Sequence, residues 1–168
     1  MKKKLVVIGY GGMGGWHTRA AKKSDVVTLG GIYDIKEERR KAAEDAGIFS
    51  YDSFEAVLAD PTVDLVTIAV PNDEHERLTV AALEAGKNVI NEKPVTLTSQ
   101  SLKRMIDASE RAGKLLTVHQ NRRWDVDYLA MQKIVDSGEI GEILNVESRV
   151  QGSRGIPSDW RGEKKYGG

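Results

Sequence analysis

The chain contains no cysteine, and only three histidines and 6% aromatic residues among its 168 positions. Without thiols it can hold neither a disulfide framework nor Cys-ligated zinc, and it offers no thiolate nucleophile. His17, His75 and His119 are scattered, with no ligand spacing, which predicts no metal site. Charge of one sign is also missing: 25 Lys and Arg balance 25 Asp and Glu, so no global field gathers nucleic acid or acidic lipid. Nowhere do ~18 apolar residues run uninterrupted, so no membrane-spanning helix is encoded. Lys2, Lys3 and Lys4 before Leu5–Ile8 imitate the start of a signal peptide, but four apolar residues ending at a glycine are too short for its apolar core. These absences predict a soluble, cytoplasmic protein without nucleic-acid or membrane partners.

What is present is a rhythm. Short apolar runs at Leu5–Ile8, Val26–Tyr33, Val63–Val70, Asn88–Asn91 and Leu115–His119, with a weaker one near Ile48–Ser50, alternate with amphipathic stretches. That is the pattern of βα units feeding a parallel sheet covered on both faces. Helices are predicted over Gly15–Lys23, Glu37–Ala46, Phe54–Ala59, Glu74–Ala85 and Ser99–Ala112. Asp52 with Glu55 has capping-box spacing, and Gly47, Gly86 and Gly113 stand where helices close. The expectation is an α/β, doubly wound parallel sheet of six strands over residues 1–118. Residues 119–168 read as the start of a second, α+β domain: a helix over Val126–Val135, closed by Gly138, then a half-buried strand over Glu142–Val150 with Leu144, Val146 and Val150 on one face. A single such strand cannot bury its face or pair its backbone alone.

Five of the 17 glycines lie between positions 9 and 15, and only Gly9, Gly11 and Gly14 fit G-x-G-x-x-G. After a first strand, this spacing permits a tight turn, close approach of backbone N–H groups to a pyrophosphate, and packing of helix on strand. Asp34 follows Gly14 by 20 residues at the end of the second strand, where an acid accepts hydrogen bonds from ribose hydroxyls and repels a 2′-phosphate. NAD(H) is therefore expected over NADP(H); Lys36, Arg39 and Arg40 could turn back to a phosphate, but charge runs usually form the solvated face of a helix, and that is how they are read.

Further along stand Pro71-Asn72-Asp73-Glu74-His75 and Glu92-Lys93-Pro94, both at carboxyl ends of strands, and then Gln120-Asn121-Arg122-Arg123-Trp124. With the glycine loop, these segments closely resemble the Gfo/Idh/MocA family of NAD(P)-dependent oxidoreductases. The resemblance implies cofactor contacts from Gly9, Gly11, Gly12, Met13, Gly14, Asp34, Pro71, Asn72, His75, Glu92 and Asn121. His75 also shares a helical face with Leu78 and Ala82, so packing is the competing role. Lys93 is the implied catalytic residue, since alcohol oxidation must release the hydroxyl proton to a general base or relay. Pro94 restrains the lysine backbone. Arg122, Trp124, Trp160 and Arg161 offer donors and stacking surfaces for a sugar, cyclitol or related polyol.

The resemblance further implies a longer protein whose second domain shapes the substrate pocket and forms an oligomer, and a downstream Asp and His completing the relay. No His follows His119 here, and the only Asp after Asp136 is Asp159. The expectation is thus the cofactor-binding half of a dehydrogenase, inactive alone. A non-catalytic dinucleotide sensor is the alternative, and a methyltransferase would leave Glu92-Lys93-Pro94 unexplained.

Overall fold

In the computed structural model, which describes residues 2–149, 151 and 162–166, five strands form one parallel sheet in the order β2-β1-β3-β4-β5. They are β1 (Lys3–Ile8), β2 (Val27–Tyr33), β3 (Leu65–Ile68), β4 (Asn88–Asn91) and β5 (Leu116–Val118). α1 (Gly12–Lys22), α2 (Glu37–Asp45), α3 (Phe54–Ala59), α4 (His75–Glu84) and α5 (Ser99–Ala112) fall between strands. The sheet grows outward in both directions from β1 and β3, so the chain reverses direction between them and opens a crevice at their carboxyl ends.

The core explains why the strands read as unbroken apolar runs. Val6 and Ile8 face one layer with Phe54, Val57, Val66, Ile68, Leu83 and Val89. Val7 faces the other with Ile32, Ala43 and Ile48. Alternate residues of β1 are therefore buried on opposite faces, as a sheet covered on both sides requires.

Two local expectations change. Ile48–Ser50 is not a sixth strand: its contact with β2 is an isolated bridge between Ser50 and Ile32, where Ile32 N–H donates to the Phe49 carbonyl and Tyr51 N–H to that of Ile32, and one such exchange does not extend into a ladder. The cap of α3 is Ser53 and not Asp52, with the Ser53 hydroxyl accepting from Ala56 N–H at 3.0 Å. Thr98 caps α5 in the same way at 3.1 Å. Gly47, Gly86 and Gly113 all take the left-handed conformation predicted for helix ends.

Beyond β5 the chain forms a short turn (Asn121–Trp124) and α6 (Val126–Ser137), ended by left-handed Gly138. The strand expected over 142–150 does not form at 142–149, and Val150 lies outside the described residues. Among the described residues no neighbouring strand pairs its backbone groups, and Leu144 is 90% exposed. Among the described residues, no helix is long and apolar enough to cross a membrane.

α4 and α5 are tied together by Glu76, whose carboxylate accepts from the Arg104 guanidinium and the Ser101 hydroxyl. The Arg104 hydrogen bond first, then that of Ser101, holds its carboxyl down at about 2, against an ordinary 4.5. The folded group titrates below the unfolded one, so its contribution is complete above about 4.5 and is lost as pH falls towards 2. Glu76→Gln is expected to cost about 1 kcal/mol at neutral pH and to flatten the loss of stability below pH ~4, measured by urea unfolding across pH. Parallel pH profiles for the two proteins would contradict this role.

Candidate functional site

The crevice is built on close backbone approach. Gly9, at φ +92°, ends β1 in a conformation that favours glycine, and a Cβ there would lie 2.4 Å from the Ala69 carbonyl oxygen after β3. At Gly14, a Cβ would lie 1.8 Å from the Gly9 carbonyl oxygen, so only glycine lets α1 rise directly from the strand. The Gly11 N-cap supplies no side-chain hydrogen bond, and α1 has no acidic residue in its first turn. Its leading N–H groups and positive dipole end are therefore suited to an anion.

Asp34 stands beside this loop and is 3% exposed. Its Oδ2 accepts from Tyr10 N–H at 2.7 Å and its Oδ1 from Lys36 N–H at 2.9 Å, which fixes the carboxylate at the crevice edge. Of the basic residues that follow, Lys36 is exposed as a solvated face requires, but Arg39 and Arg40 turn back. Arg39 Nη1 lies 3.2 Å from Asp34 Oδ2, and Arg40 Nη1 donates to the Asp34 carbonyl at 2.8 Å, because a buried carboxylate at the head of α2 attracts the cations one turn on.

All three histidines converge on Glu92-Lys93-Pro94. Glu92, only 5% exposed, receives His17 Nε2 at 2.6 Å and His119 Nδ1 at 2.9 Å on the same oxygen, Oε1. Its Oε2 accepts from Lys93 N–H at 3.2 Å. Burial pushes the Glu92 carboxyl up, but the His17 hydrogen bond and the charges of His119 and His17 outweigh it, and the group lies below its ordinary range. His75 Nδ1 is 2.9 Å from the Pro94 carbonyl oxygen and Nε2 3.0 Å from that of Val70. Asn91 Nδ2 donates to the Val95 carbonyl at 3.1 Å. The loop is thus held on both flanks, while Lys93, joined to Pro94 by a cis peptide, is left exposed.

Several expectations are refined by these positions. His75 is 1% exposed and bridges the loops after β3 and β4, with both ring nitrogens within hydrogen-bond distance of backbone carbonyls. Asn72 is buried in the short turn after Pro71. Glu92 is an anchored interior acid, with His17 and His119 as its partners. Those two residues share no legible spacing, and only the sheet order brings them together. The imidazole nitrogens and the carboxylate lie within 4.8 Å of one another, compact enough for a divalent ion, although hydrogen bonds among the same atoms already account for the arrangement. Asn121, Arg122 and Trp124 lie past β5, with Trp124 77% exposed and Arg122 paired to Asp125 at 2.7 Å, so they line no closed pocket among the described residues. Trp160 and Arg161 lie outside the described residues.

His17→Ala leaves a buried carboxylate short of a charged hydrogen bond and should cost about 2 kcal/mol, while His119→Ala, at a ring 20% exposed, should cost about 1. Urea unfolding of both variants checks the order, and equal midpoints for His17→Ala and the parent would remove the anchor from the account.

Comparison with known proteins adds to this geometry. A family model described as an oxidoreductase family with an NAD-binding Rossmann fold, GFO_IDH_MocA, matches residues 3–120. The crystal structure of an NAD-binding protein from Listeria innocua is 49% identical, superposes with a TM-score of 0.96, and is covered over 50% of its length by 100% of this chain. Inositol 2-dehydrogenase from Salmonella typhimurium is 33% identical over 162 residues, which is 94% of this chain and 48% of that protein. A scyllo-inositol 2-dehydrogenase (NADP(+)) from Bacillus subtilis is 32% identical over 142 residues, 83% of this chain and 39% of the relative. The chain spans about half the length of these relatives, or less.

Proposed function

Because the chain belongs to the Gfo/Idh/MocA oxidoreductase family with its NAD-binding Rossmann fold, we propose that it is the cofactor-holding unit of a dehydrogenase acting on a cyclitol, sugar or related polyol. The observation that carries this reading is the pairing of the glycine turn with buried Asp34 at the point where the sheet reverses direction. Gly9, Gly11, Gly12, Met13 and Gly14 would receive the pyrophosphate through backbone N–H groups, and Asp34 the adenosine ribose. Pro71 and Asn72 would border the cofactor from the β3 side, with Asn121 and Glu92 towards its nicotinamide end. Asp34 favours NAD(H) over NADP(H), since a carboxylate opposes a 2′-phosphate.

When bound, the nicotinamide would take up or give back the hydride of an alcohol carbon. The chain's own part would be proton handling. Lys93 Nζ would take the hydroxyl proton as the alcohol is oxidised and return it in reduction. Its backbone is aimed by Glu92 on one side and, through the Pro94 carbonyl, by His75 on the other. Residues 1–118 are assigned to the cofactor unit and 119–168 to the start of the substrate domain. α6 has no buried residue, which supports this division and suits an interface with further structure, including a second copy in an oligomer. Inositol is a fitting probe substrate, given the Salmonella relative's name.

Asp34→Ala should weaken NADH about tenfold by fluorescence titration and weaken NADPH less, through loss of charged hydrogen bonds to the ribose. An unchanged NADH-to-NADPH affinity ratio would refute the assignment of Asp34. In an intact dehydrogenase that carries this cofactor unit, Lys93→Met should retain NADH binding while abolishing inositol-dependent reduction of NAD⁺, because the proton acceptor is gone. Undiminished reduction in that variant would remove Lys93 from the chemistry.

A further inference from the structure

We propose that His17, Glu92 and His119 form a site for a divalent transition-metal ion such as Zn²⁺, which staples α1 to the carboxyl ends of β4 and β5. Neither the glycine turn nor Asp34 takes part. His17 lies on α1, Glu92 directly follows β4, and His119 directly follows β5. The last two are fixed by the end of the sheet ladder: Glu92 N–H donates to the Ile68 carbonyl at 3.0 Å and His119 N–H to that of Asn91 at 2.8 Å. His17 Nε2 and His119 Nδ1 approach one carboxylate oxygen, Glu92 Oε1, to 2.6 and 2.9 Å, and the donor atoms all lie within 4.8 Å of one another.

Two imidazoles and one carboxylate are donors that zinc takes at about 2.0–2.2 Å, with one tetrahedral position left for water. At those bond lengths neighbouring donors stand about 3.3 Å apart, so opening the present contacts by less than an ångström admits the ion. The surroundings are those of a built site. The side chains of His17 and Glu92 are only 8% and 7% exposed, and Lys93 N–H holds Glu92 Oε2, as outer partners hold a metal-ligating carboxylate. Trp16 packs against both imidazoles, its ring 5.1 Å from that of His17 and 5.3 Å from that of His119. His119, 20% exposed, is the member beside which an ion and its water enter. Without an ion, His17 donates from Nε2 and His119 from Nδ1 to the carboxylate. With one, each neutral ring carries its proton on its other nitrogen, so two hydrogen bonds become two metal bonds with no net change in protonation. Since the chain has no cysteine, the donors are nitrogen and oxygen alone, a set that suits Zn²⁺, Co²⁺ or Ni²⁺ better than Mg²⁺ or Ca²⁺, which prefer oxygen throughout. His75 stands apart, both its nitrogens facing backbone carbonyls.

Equilibrium dialysis of the full chain against Zn²⁺, with Co²⁺ titration followed by tryptophan fluorescence, tests the site. The parent is expected to retain one zinc that millimolar Mg²⁺ does not displace, and to resist urea better as zinc is added, because the ion binds only the folded chain. His119→Ala alters the more exposed ring, and Glu92→Gln keeps the shape while removing the charge. Each should weaken zinc by about a hundredfold or more, since even the outer partners of metal ligands cost about 10–100-fold. Added zinc should leave the urea midpoint of His119→Ala unmoved. Co²⁺ should quench Trp16, and Trp16→Phe should lose that quenching while still retaining zinc. A parent that retains no zinc, or His119→Ala and Glu92→Gln chains that retain it as tightly as the parent, overturns the proposal.

Discussion

The contact between Gly14 and Gly9 is the constraint on which the rest of the structure turns. A Cβ at Gly14 would stand 1.8 Å from the Gly9 carbonyl, so α1 can leave β1 at this angle only without one. That angle sets three things at once. It points the uncapped start of α1 into the crevice between β1 and β3. It brings Tyr10 N–H to the Asp34 carboxylate, although the residues are 24 positions apart. It also turns His17, one helical turn beyond Gly14, inward to Glu92 on the far side of β3. Phosphate site, ribose acid and the anchor beside Lys93 are therefore consequences of one backbone approach.

The charges around the crevice are arranged by depth. Glu92 is buried deeply enough that desolvation opposes its ionisation, yet two imidazoles on one oxygen reverse the balance. A carboxylate so occupied is directed into the protein and away from solvent, while the adjoining lysine is exposed. Adjacent residues of opposite charge are thus kept on separate errands by the partners of the acid. At the other end of the crevice, Asp34 is equally buried but is fixed mainly by backbone N–H groups, which leaves its arginine partner at the surface. Both acids are held rigidly; they differ in whether the compensating cation is interior or exposed.

Much of this was legible because it is local. Phe54–Ala59, Asn88–Asn91 and Ser99–Ala112 follow from apolar period and punctuation, and the helix-ending glycines are where spacing puts them. The glycine motif and Asp34 could be read because a fixed number of residues separates positions that a βα unit must bring together. What escaped is non-local or competitive. The convergence of three histidines depends on strand order, which the sequence does not display. The turning back of Arg39 and Arg40 depends on a buried acid prevailing over solvent for a flexible cation, which a charge count along a helix does not weigh. Ser53 displaced Asp52 as a cap by one residue, within the reach of ordinary boundary error.

The segment after β5 shows where local pattern ceases to specify structure. The alternation of Leu144 and Val146 is a genuine strand signal, yet these side chains are 90% and 64% exposed and the backbone pairs with nothing in strand form among the described residues. α6 does form, since a helix satisfies its own backbone and needs no neighbour for hydrogen bonding. It nevertheless buries no residue, with Val126 at 83% and Ile134 at 49% exposure, so it lacks the apolar burial that gives most protein helices their stability. The difference between the two elements follows from backbone chemistry: a strand requires a partner to exist, a helix only to persist. The apolar positions of both require cover that the described residues do not supply, and covering them is what would convert a period-2 sequence into a strand.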